Sequence, residues 1–382
     1  MSHGVPRVGG EGEGGVASSQ DKIKARIKAY KELEKDVTDR IKNEDYSNTT
    51  FQLTSTLLSQ NPEYYTIWNH RRLLLQHVFA REFSTSSPDN PTAEGTLSTS
   101  DDHADTTAAQ KAGLSPSQHE ISLLISEDLS SLLPLLKQYP KCYWIWNHRS
   151  WLLTKATTHL PAASAIKFWQ GELALVGKML ALDSRNFHGW GYRRTVVEAI
   201  ERLGDISMAE KEFEYTTKMI KTNLSNFSAW HYRSQLIPRL LNERNARREA
   251  RAKFLDGEFE LITSALYTDP YDQSLWFYHQ FLMATLDTTN PQAGIILSPC
   301  TNSDRKMYLE QEVTSVREML DGAEDCKYIY QALLEYARRW RDLGGEVEKT
   351  DMKEWLGELR KLDPLREGRW RDLEKVLGLE VV

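Results

Sequence analysis

Little in this sequence points to covalent or metal-based chemistry. Its 382 residues include three cysteines, Cys142, Cys300 and Cys326. They show no CxxC spacing and cannot all pair, so neither a disulfide framework nor a zinc module is indicated, and a reducing compartment fits. No stretch approaches the roughly 18 apolar residues of a membrane span. The opening MSHGVPRVGGEGEGGVASS lacks the apolar core of a secretory signal. The expected setting is therefore cytoplasmic, with no transmembrane segment, and the sequons at Asn48, Asn223 and Asn226 are incidental. Positive charge is not in excess either: the net charge is −6 and the pI about 6.0. A general nucleic-acid binder needs a basic face to displace counterions, so nucleic acid is not an expected partner.

What is present is enough apolar surface for a core, at 40% hydrophobic residues, together with 11 tryptophans and 16 tyrosines. Residues 1–20 are Gly-rich and are expected to be disordered. A Lys/Glu-rich exposed helix is predicted from Gln20 to Asn43. Residues 84–118 are dominated by Ser, Thr, Asp, Ala and Pro and read as a low-complexity surface insertion.

Self-similarity is the strongest signal. Aligned on tryptophan, the chain repeats NPEYYTIWNHRRLLL, YPKCYWIWNHRSWLL, DSRNFHGWGYRRTVV, NLSNFSAWHYRSQLI and DPYDQSLWFYHQFLM. The anchors are Trp68, Trp146, Trp190, Trp230 and Trp276, spaced 78, 44, 40 and 46 residues apart, the first gap holding the insertion. An aromatic lies three before the anchor at Tyr65, Tyr143, Phe187 and Phe227. An arginine lies three after it at Arg71, Arg149, Arg193 and Arg233, replaced by His279 in the fifth copy. Eighteen before the anchor stand Asp128, Glu172, Glu212 and Glu258. The same step from Glu312 reaches Tyr330, which suggests a degenerate sixth unit, and a partial unit is plausible around Trp370.

The spacing predicts an amphipathic helix, a turn built from Asn or Asp with Pro, and a second helix carrying the anchor. Such hairpins bury their faces only against neighbours, so the expected fold is all-α, a curved solenoid. The tryptophans and the aromatics three before them are expected to be core anchors. The repeated arginines and acids are expected to be inter-helix ion pairs or caps. Function should lie where the copies differ. Five before the anchor they read Glu63, Lys141, Arg185, Ser225 and Tyr271, and two before it Thr66, Trp144, His188, Ser228 and Ser274. These positions fall at the start of the second helix, where exposed N–H groups attract anions.

The repeat resembles that of protein prenyltransferase α subunits, from about Gln20 to the end of the chain. Tetratricopeptide repeats differ, having a period near 34 and another residue signature. The resemblance implies an α-α superhelix, a right-handed solenoid of helical hairpins, forming one domain over residues 21–382. The fourth and fifth copies, NFSAWHYRSQLIP and TDPYDQSLWFYHQFL, are similar to the Rab geranylgeranyltransferase (type II) group, as is the opening Met-Ser-His-Gly. The short stretch after Met283 is similar to the compact fungal form.

Carried over by position, the resemblance implies that Lys141, within Pro140-Lys141-Cys142-Tyr143, neutralises the isoprenoid diphosphate leaving group, and that Tyr143 lines the same mouth. It implies that His188, within Asn186-Phe187-His188-Gly189-Trp190, sits on the same active-site rim and faces the partner subunit. Phe187 replaces a frequent Tyr. Trp144 stands where the farnesyltransferase type has a Gln that touches the peptide carboxylate, which favours the Rab type. His3, on the N-terminal arm, is a candidate to reach the partner's zinc.

Alkylating a cysteine needs a thiolate, which zinc supplies by lowering the thiol pKa, and positive charge where the diphosphate departs. No zinc-ligand spacing is visible in this sequence. The resemblance therefore implies that zinc and the isoprenoid pocket belong to a β subunit, and that this chain alone binds no cofactor. The implied partners are that β subunit, geranylgeranyl diphosphate, Rab escort protein and a Rab GTPase, with activity only in the heterodimer. Two other readings stay open: the α subunit shared by farnesyltransferase and type I geranylgeranyltransferase, and a non-enzymatic helical-repeat scaffold.

Overall fold

The computed structural model describes residues 13–85 and 113–379, and all regular secondary structure among them is helical. His3 with the rest of residues 1–12, and residues 86–112 of the Ser/Thr-rich insertion, lie outside the described residues, whereas residues 13–20 of the Gly-rich start begin a helix. The Lys/Glu-rich helix expected from Gln20 runs over Glu13–Lys42 (α1) and packs on the helix that follows it.

The chain forms two compact units that divide between Ile206 and Ser207. In the first, hairpins are built by α2 (Asn48–Gln60) with α3 (Tyr65–Thr85), by α4 (Pro116–Ser131) and a short α5 (Leu133–Gln138) with α6 (Tyr143–His159), and by α7 (Ala162–Leu182) with α8 (Phe187–Gly204). The anchor-bearing helices lie side by side, α3 on α6 and α6 on α8. In the second unit the hairpins are α9 (Ala209–Thr222) with α10 (Phe227–Glu243), α11 (Arg248–Thr268) with α12 (Gln273–Thr285), α13 (Asn302–Glu318) with α14 (Lys327–Asp342), and α15 (Lys349–Leu362) with α16 (Glu367–Leu377). There α10 packs on α12 and α12 on α14.

Every anchor tryptophan is buried, and each ring N–H must find an acceptor. It finds the backbone carbonyl six residues earlier, in the turn: Trp68 to Pro62, Trp146 to Pro140, Trp190 to Ser184, Trp230 to Leu224 and Trp276 to Pro270, at 2.7–2.9 Å. Tyr330 does the same with its hydroxyl, donating to the Glu324 carbonyl at 2.8 Å, so the degenerate sixth unit keeps the pin although the tryptophan is gone. Trp370 is buried and bonds Asp363 seven residues back. The Pro62, Pro140 and Pro270 carbonyls each accept a second bond from the following hairpin, from Cys142 Sγ, Asn186 Nδ2 and Cys326 Sγ respectively.

The repeated arginines and acids are buried inter-helix ion pairs. The arginine of one hairpin meets the acid of the next: Arg71 with Asp128, Arg149 with Glu172, Arg233 with Glu258. The contacts use Nε and Nη2 at 2.5–3.1 Å; Arg149 and Arg233 each fork onto both carboxylate oxygens, whereas Arg71 places both on Asp128 Oδ1. In the fifth copy His279 Nε2 lies 2.6 Å from Glu312. Each arginine also reaches back into its own hairpin. Arg71 donates to Thr54 and Ser55 and stacks over Phe51 at 3.8 Å, and Arg233 donates to Thr217 and stacks over Phe213 at 3.8 Å. The acid is completed by the residue two after its own anchor: His148 to Asp128, Tyr192 to Glu172, Tyr278 to Glu258.

The aromatics three before the anchor are not core residues. Tyr65, Tyr143, Phe187 and Phe227 are 56, 51, 74 and 48% exposed. At about 100° per residue, positions three before and three after the anchor stand about 120° apart on the helix. With the tryptophan and the arginine both turned inward, the third position faces out.

Two stability outcomes follow. Arg149→Met leaves Glu172 buried without its counterion and should cost about 3–5 kcal/mol in urea denaturation; adding Glu172→Gln should restore part of that loss, since the amide can still accept from Tyr192. His148 is fully buried, and desolvation lowers its pKa against the pull of Asp128. A depressed histidine contributes stability that is complete above its unfolded value of about 6.5 and is lost as the pH falls below it. The urea midpoint should therefore decline below about pH 6.5, and His148→Tyr, which places the third- and fifth-copy donor there, should flatten that decline.

Candidate functional site

The varying positions of the first three copies meet in the first unit, at the N-terminal ends of α3, α6 and α8. Each of these helices starts just past its turn, so its first residues face outward while the tryptophan three further on is pinned within. Tyr143 opens α6, and its ring lies 6.2 Å from that of His188, the second residue of α8. Asn186 caps α8 by accepting from the Gly189 N–H at 3.1 Å, which fixes the turn that presents His188. Trp144 bridges sideways, 5.3 Å from Tyr143 and 5.6 Å from Tyr65, while Phe187 lies 5.9 Å from His188. The result is a continuous aromatic strip across three hairpins, exposed at Tyr65, Tyr143 and Phe187 and half-buried at Trp144 and His188.

Lys141 stands beside this strip, with its side chain 78% exposed. Its one ionic neighbour among the described residues is Asp183, at 3.8 Å and itself partly exposed. An ion pair of that kind contributes at most about 1 kcal/mol, so the ammonium can turn to a stronger anion at little cost. The three residues singled out from the sequence, Lys141, Tyr143 and His188, thus lie on adjoining helix starts. Trp68, Trp146 and Trp190 form the packed layer beneath them.

Two residues of this neighbourhood were not singled out from the sequence. Arg72 of α3 donates from Nη2 to Asn147 Oδ1 at 2.5 Å and from Nε to His148 Nδ1 at 3.4 Å. Asn147 in turn donates to the Tyr143 hydroxyl oxygen at 3.0 Å. The signal was available in principle, because one and four after the anchor the copies also vary, reading Asn69, Asn147, Gly191, His231, Phe277 and Arg72, Ser150, Arg194, Ser234, Gln280. What the sequence does not show is that residues 75 apart meet.

The second unit has its own aromatic concavity, about 430 Å³, lined by Phe227, Trp230, His231, Phe277, Tyr278 and Phe281. Among the described residues no group of three or more His, Cys, Asp or Glu is placed to hold a metal ion. No described helix is long and apolar enough to cross a membrane.

Comparison with known proteins matches this architecture. The family described as protein prenyltransferase alpha subunit repeat matches residues 48–78, 125–156, 169–200, 209–240 and 255–286, the five tryptophan-anchored hairpins. A geranylgeranyl transferase type-2 subunit alpha of Schizosaccharomyces pombe is 33% identical over 98% of both chains. The protein of the same name from Saccharomyces cerevisiae is 37% identical over 91% of both. The rat protein of that name is 32% identical over 68% of this chain but only 38% of its own length. Among solved structures, Candida albicans protein geranylgeranyltransferase-I complexed with GGPP contains a chain that matches with a TM-score of 0.58 at 17% identity, over 91% of each chain, a likeness of fold. With the repeat, the pins and full-length relatives in agreement, the chain belongs to the protein prenyltransferase α-subunit family, among the geranylgeranyl transferase type-2 α subunits.

Proposed function

We propose that this chain pairs with a prenyltransferase β subunit in the cytoplasm to transfer geranylgeranyl from geranylgeranyl diphosphate to C-terminal cysteines of Rab GTPases presented by Rab escort protein. The observation that carries the reading is the rim of the first unit, where an exposed lysine, a tyrosine hydroxyl and a histidine adjoin on helix starts of a chain whose full-length relatives bear the type-2 name.

The division of labour follows from charge. As the carbon–oxygen bond of the isoprenoid breaks, negative charge builds on the departing diphosphate, and groups that bind it more tightly in that state speed the step. Lys141 supplies a full positive charge on a short, exposed turn. Tyr143 supplies a hydroxyl, and His188 borders the same opening. Zinc, where it serves such an enzyme, lowers the pKa of the attacking thiol; on this reading its holder is the β subunit.

The test is co-expression with a type-2 β subunit, followed by measurement of geranylgeranyl transfer to a Rab protein with escort protein present. Absence of a heterodimer, or of transfer, would overturn the reading. Efficient modification of a short CaaX peptide without escort protein would favour the subunit shared with farnesyltransferase. Within an active heterodimer, Lys141→Ala should lower the single-turnover rate by about ten- to a hundredfold, with heterodimer assembly by gel filtration unchanged.

A further inference from the structure

We infer that Arg72 and Asn147 form a polarised relay that fixes the direction of the Tyr143 hydroxyl, so that its proton is donated outward to an anionic oxygen of the bound diphosphate. This rests on the proposed function for the identity of the ligand. The relay itself rests on this chain's hydrogen bonds.

The direction follows from donor chemistry. A guanidinium has donors and no acceptor. Arg72 Nη2 lies 2.5 Å from the Asn147 side chain, so the amide must present its oxygen to Arg72. The amide NH2 then points to Tyr143, 3.0 Å away, and the phenol oxygen must accept. Having accepted from within, the hydroxyl keeps its hydrogen for a partner outside the helix, and Tyr143 is half exposed on the rim. The amide orientation is thus imposed by its neighbour.

The other arm of Arg72 is equally directional. Its Nε donates to His148 Nδ1, so the imidazole carries its hydrogen on Nε2 and donates it to Asp128 at 2.8 Å. Asp128 is held in turn by Arg71. The Tyr143 hydroxyl is therefore tied, through the side chains of Asn147, Arg72 and His148, to the buried ion pair that joins the first two hairpins. Arg72 is half buried and has no carboxylate within ion-pair distance among the described residues. Its charge is spent on neutral acceptors and remains available to an incoming anion. The Lys141 ammonium, by comparison, is solvated.

On this reading Tyr143 touches the ligand, and Arg72 and Asn147 are positioning residues. The discriminating substitution is Asn147→Asp. It is nearly isosteric and keeps an oxygen facing Arg72, but its second oxygen can only accept, which turns the Tyr143 proton inward. The experiment measures single-turnover geranylgeranyl transfer and geranylgeranyl diphosphate affinity in the heterodimer with a type-2 β subunit, for wild type, Tyr143→Phe, Asn147→Asp and the double variant. Each single change should slow the chemical step by about ten- to a hundredfold, the span expected for a hydrogen bond to a charged group. The double variant should be no slower than the slower single one, because both remove the same outward donor. Arg72→Gln, whose amide can face Asn147 either way, should show an intermediate loss that also vanishes in the Tyr143→Phe background.

Full rate in Asn147→Asp, or losses that multiply in the double variant, would overturn the relay while leaving the proposed function in place. Multiplying losses would assign the Asn147→Asp effect to its added negative charge. A wild-type heterodimer that transfers no geranylgeranyl group would overturn the proposed function and the relay together.

Discussion

The buried bridge between an arginine and the carboxylate of the next hairpin is the constraint on which this molecule depends. Hydrophobic layers alone would let neighbouring hairpins slide, since leucine and isoleucine contacts are tolerant of register. A guanidinium that must satisfy Nε and Nη2 on one carboxylate, and Nη1 on a hydroxyl or backbone carbonyl of its own first helix, admits one register. Desolvating such charges is expensive, and the cost is offset because each acid receives a further donor from a histidine or tyrosine. Asp128 illustrates the balance: burial alone would raise its pKa, yet Arg71 and His148 together hold it below the usual carboxylate range.

With register fixed, the turns are fixed as well. The tryptophan pins its own turn through the carbonyl six residues back, and in three places that carbonyl also receives a side chain from the following hairpin. The helix starts that follow these turns are therefore rigid platforms, and the residues on them are free to vary. Lys141, Tyr143 and His188 occupy equivalent platforms in adjacent copies, which is how a repetitive scaffold comes to present an asymmetric rim.

Much of this was legible in the sequence because the repeat keeps phase. The acid at eighteen before the anchor and the arginine at three after it could be counted without knowing any contact, and counting from Glu312 located Tyr330 although its chemistry differs. The aromatics at three before the anchor were misjudged because period alone does not say which arc of a helix is covered, and a wide inward arc was already filled by tryptophan and arginine. The Arg72 relay was invisible for another reason. It joins positions that vary between copies across a gap lengthened by the insertion, so neither repetition nor local spacing marks it. The resemblance singled out Lys141, Tyr143 and His188; only geometry places what stands behind Tyr143.

The proline carbonyls that accept from cysteine have a consequence of their own. Cys142 and Cys326 are buried, one in each unit, and desolvation raises both thiols, Cys142 to about 11. A thiol so hidden and so weakly acidic reacts only when its hairpin parts from the one before it. The two sulfurs are thus native reporters of breathing, and the pace at which each is alkylated in the folded protein would give the opening frequency of either half separately, with no label added.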